Sequence, residues 1–241
     1  MGPTLAPDRR AKAKLPGGDL GAGGLDGFVE RLTAKRAGFP PAYLRQLARR
    51  YGSLSDAVLG EARSLADLGA DVIKVERPGV GDDTRAWGPP WLADVDGEDT
   101  TDASYYGCAN RNKRSVTINL ADPEGQALVR EMAKDCDVVI ENYRMGTMEK
   151  LGLGYEELKK TNPGLIYCEI SGFGRTGPYA ARGGFDLIAQ GMSGLMSITG
   201  EGPGRPPVKS GAPVSDITAG ILGALGCVAA YTRKLQTGEG Q

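Results

Sequence analysis

Between residues 71 and 171 the chain alternates short apolar, β-branched runs with segments of helical periodicity. This alternation restricts the possible folds more than any other feature. "DVIKVE" (71–76), "RSVTINL" (114–120), "DVVIEN" (137–142) and "LIYCEIS" (165–171) each read as a strand. "ADPEGQALVREMAKDC" reads as a helix in which Asp122 caps, Pro123 takes the first helical position and Glu124 favours the positive end. Its inward face carries Leu128, Met132 and Ala133. "YEELKKTNP" (155–163) is another helix, ended by Pro163. Strands that alternate with helices build a parallel sheet covered on both faces. The expected fold is α/β: an incomplete Rossmann-like parallel sheet with flanking helices, preceded by a small all-helical segment.

That preceding segment has a different grammar. Residues 1–14 are rich in Pro, Gly, Lys and Arg and are expected to be disordered. "FVERLTAKRAG", "PPAYLRQLARRYGS" and "LSDAVLGEARSLADLG" then read as three short amphipathic helices. The second has Leu44, Leu47 and Tyr51 at helical spacing, and the third has Ser55 as N-cap with Val58, Leu59, Ala62 and Leu65 as its stripe. A strand and a ligand-facing loop should precede the helix ending at "LADLG", and none is legible there. Beyond the fourth strand come a glycine loop, "GFGRTGPYAARGG", a helix in "FDLIAQGMSGLMSITG", and an extended proline segment. A long apolar helix over 217–235 follows, read as buried and as too rich in Gly and Ala to be a membrane span. The sheet thus reads as unfinished at both ends.

Composition excludes several chemistries. The chain has no histidine, so imidazole-based nucleophile systems and a His general base are ruled out. Cys108, Cys136, Cys168 and Cys227 show no ligand spacing, so no metal site is expected, and reduced thiols point to an intracellular protein. A net charge of −1 gives no general pull toward nucleic acid or membrane. Ten Lys/Arg against five Asp/Glu in residues 1–60 nevertheless make the front basic.

In open α/β sheets ligands bind beyond the carboxyl ends of the strands. "ERPGVGDDTR", "ENYRMG" and "SGFGRTG" reach that edge and supply Arg77, Asp82, Asp83, Arg85, Asn142, Tyr143 and Arg144 among glycines such as Gly79 and Gly81, which suits a phosphorylated ligand and equally a solvated rim. Lys113 and Arg114 fit either a phosphate contact or a solvated turn. Trp87 and Trp91 read as packing under the loop in preference to stacking on an adenine ring, and Cys227 as a core residue. Asp216 precedes a helix with almost no polar face. It reads as an N-cap, as an ionised carboxylate able to act as a nucleophile, or as both.

Several stretches resemble the N-terminal part of family III CoA-transferases, the formyl-CoA and carnitine CoA-transferase group. They are "LADLGADVIKVERPGVGDDTRAWGPP", "NRNKRSVTINLADPEGQ", "DVVIENYRMGTMEKLGLGYEEL", "GFGRTGPYAARGGFDLIAQGMSGLMSITG" and "SDITAG". The resemblance covers 65–241, and within the family the versions here look most like the succinyl-CoA–dicarboxylate members. It implies Asp216 as nucleophile, with aspartyl anhydride and aspartyl thioester intermediates. It also implies coenzyme A or acyl-CoA as substrate, with no permanently bound cofactor. By position the CoA contacts fall on Arg77, on Ile118, Asn119, Leu120 and Ala121, on Asn142, Tyr143 and Arg144, and on Lys150. The last group is Gly183, Phe185 and Asp186, with Arg182 beside it. The family's α-methylacyl-CoA racemases use a His–Asp pair where this chain has Phe185–Asp186, which disfavours racemisation. The resemblance further implies a carboxylate co-substrate, interlocked homodimers, no nucleic-acid or membrane partner, and a cytoplasmic location with the mitochondrion as alternative.

Residues 15–69 instead resemble the helical C-terminal cap domain of bacterial-type FAD-dependent glycerol-3-phosphate dehydrogenases, through "LPGGD", "LARRYGS" and "LGEARSLADLG". This resemblance carries none of that enzyme's active-site residues. The sequence is therefore expected to join two unrelated gene pieces at "LADLG", with a truncated transferase domain over 70–241. Two other readings stand beside an impaired transferase: a non-catalytic CoA-binding fragment, and a helical module that docks a partner.

Overall fold

The computed structural model describes residues 48–51 and 56–241, with side chains from residue 62 onward. The 1–14 segment expected to be disordered, the helix expected in "FVERLTAKRAG" and the Ser55 cap lie outside the described residues, as do the side chains of Val58 and Leu59.

Five parallel strands form the main sheet: β1 (Ala48–Tyr51), β2 (Val72–Glu76), β5 (Lys113–Thr117), β6 (Val138–Glu141) and β7 (Ile166–Glu169). Their spatial order is β5-β2-β1-β6-β7. Between β2 and β5 the chain makes a 3₁₀ turn (Asp83–Ala86), an antiparallel hairpin of β3 (Trp91–Ala93) and β4 (Asp99–Ala103), and helix α2 (Ser104–Asn110). The other helices are α1 (Asp56–Asp67), α3 (Pro123–Lys134), α4 (Thr147–Lys150), α5 (Tyr155–Leu158), α6 (Asp186–Met192) and α7 (Val214–Thr237).

The strand periodicity separates two cores. Ile73, Val75 and Val139 point to a layer closed by Leu128, Val129 and Met132 of α3 with Met148, Leu153 and Leu158. Val72, Val138, Ile140 and Ile166 point the other way, against Ala62, Leu65 and Ala66 of α1 and Ala224, Cys227 and Ala230 of α7. Burial on both faces explains why β2, β6 and β7 are largely apolar. The α3 start is as expected: Asp122 Oδ1 accepts the Glu124 N–H at 2.9 Å, and Pro123 opens the helix.

Two expectations are corrected. The sheet is not missing a strand before α1: Ala48, Arg49, Arg50 and Tyr51 form β1 where a helix was expected, the rest of "PPAYLRQLARRYGS" lying outside the described residues. β1 pairs in register with Val72–Val75 on one side and Val138–Glu141 on the other. The slot between β2 and β6 offers two rows of backbone donors and acceptors, and filling it satisfies more hydrogen bonds than a short marginal helix supplies. The long helix, expected as buried over 217–235, starts at Val214. It buries a stripe of Gly220, Ala224, Cys227 and Ala230 and exposes Ile221, Leu222, Leu225 and Val228. By length and composition it could cross a membrane. Small residues face α1 and the sheet because they allow close approach, so the bulky apolar residues face outward.

Candidate active site

β2 and the loop behind it organise the carboxyl edge of the sheet. Lys74 and Glu76 lie two residues apart on one side of β2, and both are buried. The Lys74 ammonium pairs with Asp82 and lies 3.7 Å from Glu76 Oε1. Glu76 also accepts from the Asp82 N–H and Arg85 Nε at 3.0 Å each, from Ser115 Oγ at 2.8 Å and from Tyr106 O–H at 2.9 Å. Asp82 Oδ1 caps the 3₁₀ turn by accepting the Thr84 N–H at 2.9 Å. Burial alone would raise the pKa of both carboxyls. Arg85 and Lys74 outweigh it for Glu76, and Lys74 with the Thr84 hydrogen bonds outweighs it for Asp82, so both are held below the usual carboxylate range. Burial and the Glu76 charge push Tyr106 up, so its hydroxyl stays a donor.

This network supports the floor of a cleft of roughly 330 Å3. Its walls are Lys74, Val75, Glu76, Arg77, Gly81 and Asp82 from β2 and its loop, and Ile118, Asn119, Leu120 and Ala121 after β5, with Tyr143 and Leu151 opposite. The wall at 118–121 is held by α3: a methyl group on Gly125 would lie 2.1 Å from the Asn119 carbonyl oxygen, so only glycine lets the helix approach. The Arg77 guanidinium pairs with Asp83 at the cleft mouth, and both side chains are exposed.

Of the residues expected to contact CoA, Arg77, Ile118, Asn119, Leu120, Ala121 and Tyr143 therefore line one cleft. The others stand apart from its walls. Asn142 donates to the Ile170 carbonyl at 2.6 Å and ties the ends of β6 and β7 together. Lys150 ends α4 and is exposed. Arg144 reaches Gly183: a methyl group there would lie 4.0 Å from its guanidinium. Arg182 stacks over Tyr179, 4.3 Å from the ring centroid, and Phe185 is 71% exposed.

The 183–186 segment is placed by a glycine contact. A Cβ on Gly172 would lie 2.3 Å from the Gly184 Cα, so the two ends of the glycine loop touch backbone to backbone. Arg175 reinforces the loop by pairing with both Glu149 and Glu169.

Asp216 stands in the first turn of α7 and is partly buried. It is not the N-cap: Pro213 holds that position. The cap comes from another element, because Asp186 Oδ1 accepts the Ser215 N–H at 2.9 Å.

Sequence reasoning missed Lys74, Glu76 and Leu151 in the cleft, and Asp186 as a cap; Asp82 was among the residues expected at the strand edge. A Lys and a Glu two apart inside an otherwise apolar strand was the available signal for the first pair. Lys113 and Arg114 prove structural: Lys113 Nζ donates to the Ala109 carbonyl at 2.9 Å, and Arg114 Nε to Asp71 at 2.9 Å. Trp87 packs on Tyr105 with ring centroids 5.3 Å apart, Trp91 covers Gly88, and Cys227 is buried.

The structure is thus an α/β protein with a cleft at the carboxyl edge of its parallel sheet, and similarity to known proteins gives the family. The model of CoA-transferase family III matches residues 57–241, and the chain belongs to that family. It is 55% identical over 177 residues to a succinate–glutarate CoA-transferase of Agrobacterium fabrum, covering 73% of this chain and 44% of that protein. It is 45% identical over 177 residues to a succinyl-CoA:glutarate CoA-transferase of Homo sapiens, covering 73% and 39%. Among solved structures, a CAIB/BAIF family protein from Brucella suis is 46% identical with a TM-score of 0.74, covering 83% of this chain and 52% of that one. The chain thus spans about half the length, or less, of these relatives.

Proposed function

We propose that this chain binds a CoA thioester in the β2–β5–β6 cleft and moves CoA from a short dicarboxyl-CoA, such as succinyl-CoA, to a carboxylate acceptor. The observation that carries the reading is the grouping of Arg77, Ile118, Asn119, Leu120, Ala121 and Tyr143 around one cleft at the carboxyl edge of the sheet. Arg77 offers a guanidinium to phosphate once it leaves Asp83, and the apolar wall suits the pantetheine arm. Arg144, Lys150 and Arg182 add positive charge beyond the cleft.

In this reading an Asp216 carboxylate oxygen attacks the thioester carbonyl carbon. The C–S bond breaks, CoA leaves as thiolate, and a mixed anhydride remains on Asp216. The thiolate then attacks the aspartyl carbonyl, releasing the donor acid and leaving an aspartyl thioester. The acceptor carboxylate displaces the thiolate to form a second anhydride. The thiolate finally attacks the acceptor acyl carbon, regenerating Asp216. Each step exchanges one carboxylate or thiolate for another and needs no imidazole. The same reading expects the interlocked homodimer of the family and a cytoplasmic location, with the mitochondrion as alternative.

Incubation with succinyl-CoA, quenching with hydroxylamine and intact-mass analysis tests it. The expected result is an aspartyl hydroxamate on the wild-type chain that Asp216→Asn lacks. CoA binding without any covalent change would favour a CoA-binding protein that does not turn over.

A further inference from the structure

The N-cap position of helix α7 is Pro213, whose side chain makes no capping hydrogen bond. The missing acceptor is supplied by α6 through two residues one turn apart. Asp186 Oδ1 accepts the Ser215 N–H at 2.9 Å. Asp186 Oδ2 accepts from Gln190 Nε2 at 2.6 Å, and Gln190 Oε1 accepts the Ser210 N–H at 2.8 Å. Gln190 is 0% exposed, in a helix whose Leu187, Ile188 and Met192 are exposed. A fully buried amide is retained only where both its ends are satisfied, and here they are. The two side chains form a bracket that grips the chain at 210 and at 215, either end of the stretch leading to Asp216.

We propose that Asp186 and Gln190 are positioning residues for Asp216, setting the first turn of α7 so that its carboxylate meets the thioester in one geometry. The inference rests on the reading of Asp216 as nucleophile. The carboxylate of Asp186 sits at the positive end of α7, so charge and hydrogen-bond direction favour the same arrangement. Without the bracket, the proline-bearing segment 210–213 would enter the helix with a backbone donor unpaired. A nucleophile displaced by a fraction of an ångström loses most of its advantage.

The hydrogen-bond polarity permits a decisive test. Asp186→Asn turns an amide donor against Gln190 Nε2, and Gln190→Glu sets two carboxylates against each other. The double variant Asp186→Asn/Gln190→Glu restores every donor–acceptor match and the net charge. Two readouts are taken on the full chain: amide hydrogen exchange at Ser210 and Ser215, and the rate of Asp216 acylation by succinyl-CoA. Each single variant is expected to speed exchange about tenfold and to slow acylation about 10- to 100-fold, and the double variant to return both toward wild type. Exchange that does not change overturns the bracket. Faster exchange with unchanged acylation overturns its positioning role. If the single variants fail to fold, a double variant that folds but acylates slowly overturns the proposal, and one that acylates at the wild-type rate supports it. No label on the wild-type chain, or equal label on Asp216→Asn, removes the nucleophile reading and the positioning claim with it, while the exchange data still decide the bracket.

Discussion

Lys74 is the side chain on which most of the cleft floor depends. Its ammonium is buried among Asp82, Glu76 and the Tyr106 ring, whose centroid is 4.7 Å away. Removing one partner from a buried ionic group leaves uncompensated charge, which costs more than the pair itself contributes. Lys74→Met should therefore lower unfolding stability by about 3 kcal/mol or more, read from urea denaturation, and a loss under about 1 kcal/mol would contradict this account of the network. Glu141 behaves in the opposite sense. It is buried at the end of β6 beside Glu169 of β7, and burial pushes its carboxyl up to about 8, although it accepts the Tyr143 N–H at 2.5 Å. The folded state holds this proton to higher pH than the unfolded chain. Its contribution to stability is full below the ordinary value of 4.5 and is lost as pH rises through about 8. Glu141→Gln should flatten that decline. It should leave stability near wild type at acidic pH and raise it in alkaline buffer, the wild-type chain losing about 1.4 kcal/mol for each pH step of one across that window. Thermal midpoints across the pH range check it, and a variant whose slope matches wild type would refute the assignment.

At the scale of elements, the ends of the glycine loop over 172–184 meet in a backbone contact between Gly172 and Gly184. Gly172→Ala would force the Gly184 backbone away from a contact at 2.3 Å. The 183–186 segment, with Asp186, would have to move. The expected outcome is about 1–3 kcal/mol of destabilisation from overpacking, together with faster amide exchange at Ser215. The same change at Gly174, whose neighbourhood is open, perturbs only its own left-handed turn. Element identity was legible wherever periodicity and caps agreed, as in α3 with Asp122 and Pro123. It was illegible in β1, because Ala-Arg-Arg-Tyr carries no apolar strand pattern and its conformation is imposed by the vacant pairing sites of β2 and β6. The cap of α7 was equally hidden. A helix start is read from its own sequence, and this one is completed by a residue 29 positions earlier.

Over the whole molecule, α6 and α7 leave a broad apolar surface. Ile221 and Leu225 of α7 are 57% and 63% exposed and lie one helical turn apart, and Leu187 and Met192 of α6 are exposed as well. Bulky apolar side chains exposed one turn apart on a helix favour association. The chain should therefore sediment faster with rising concentration. Ile221→Lys with Leu225→Lys should suppress that dependence while changing unfolding stability by no more than about 0.5 kcal/mol; persistence of association in the double variant would place the contact elsewhere. Taken together, the residues alone determined the α/β class, the strands at 72–76, 138–141 and 166–169, the strand edge where a ligand would sit, and the family. These are local or periodic properties that survive in one dimension. Tertiary structure decided which expected contacts share a cleft, the strand at 48–51, the buried Lys74–Glu76–Asp82 network and the bracket beneath Asp216. Each of these is a hydrogen bond or charge pair between groups distant in sequence or hidden within an apolar run. Their partners become visible only when the chain brings them together.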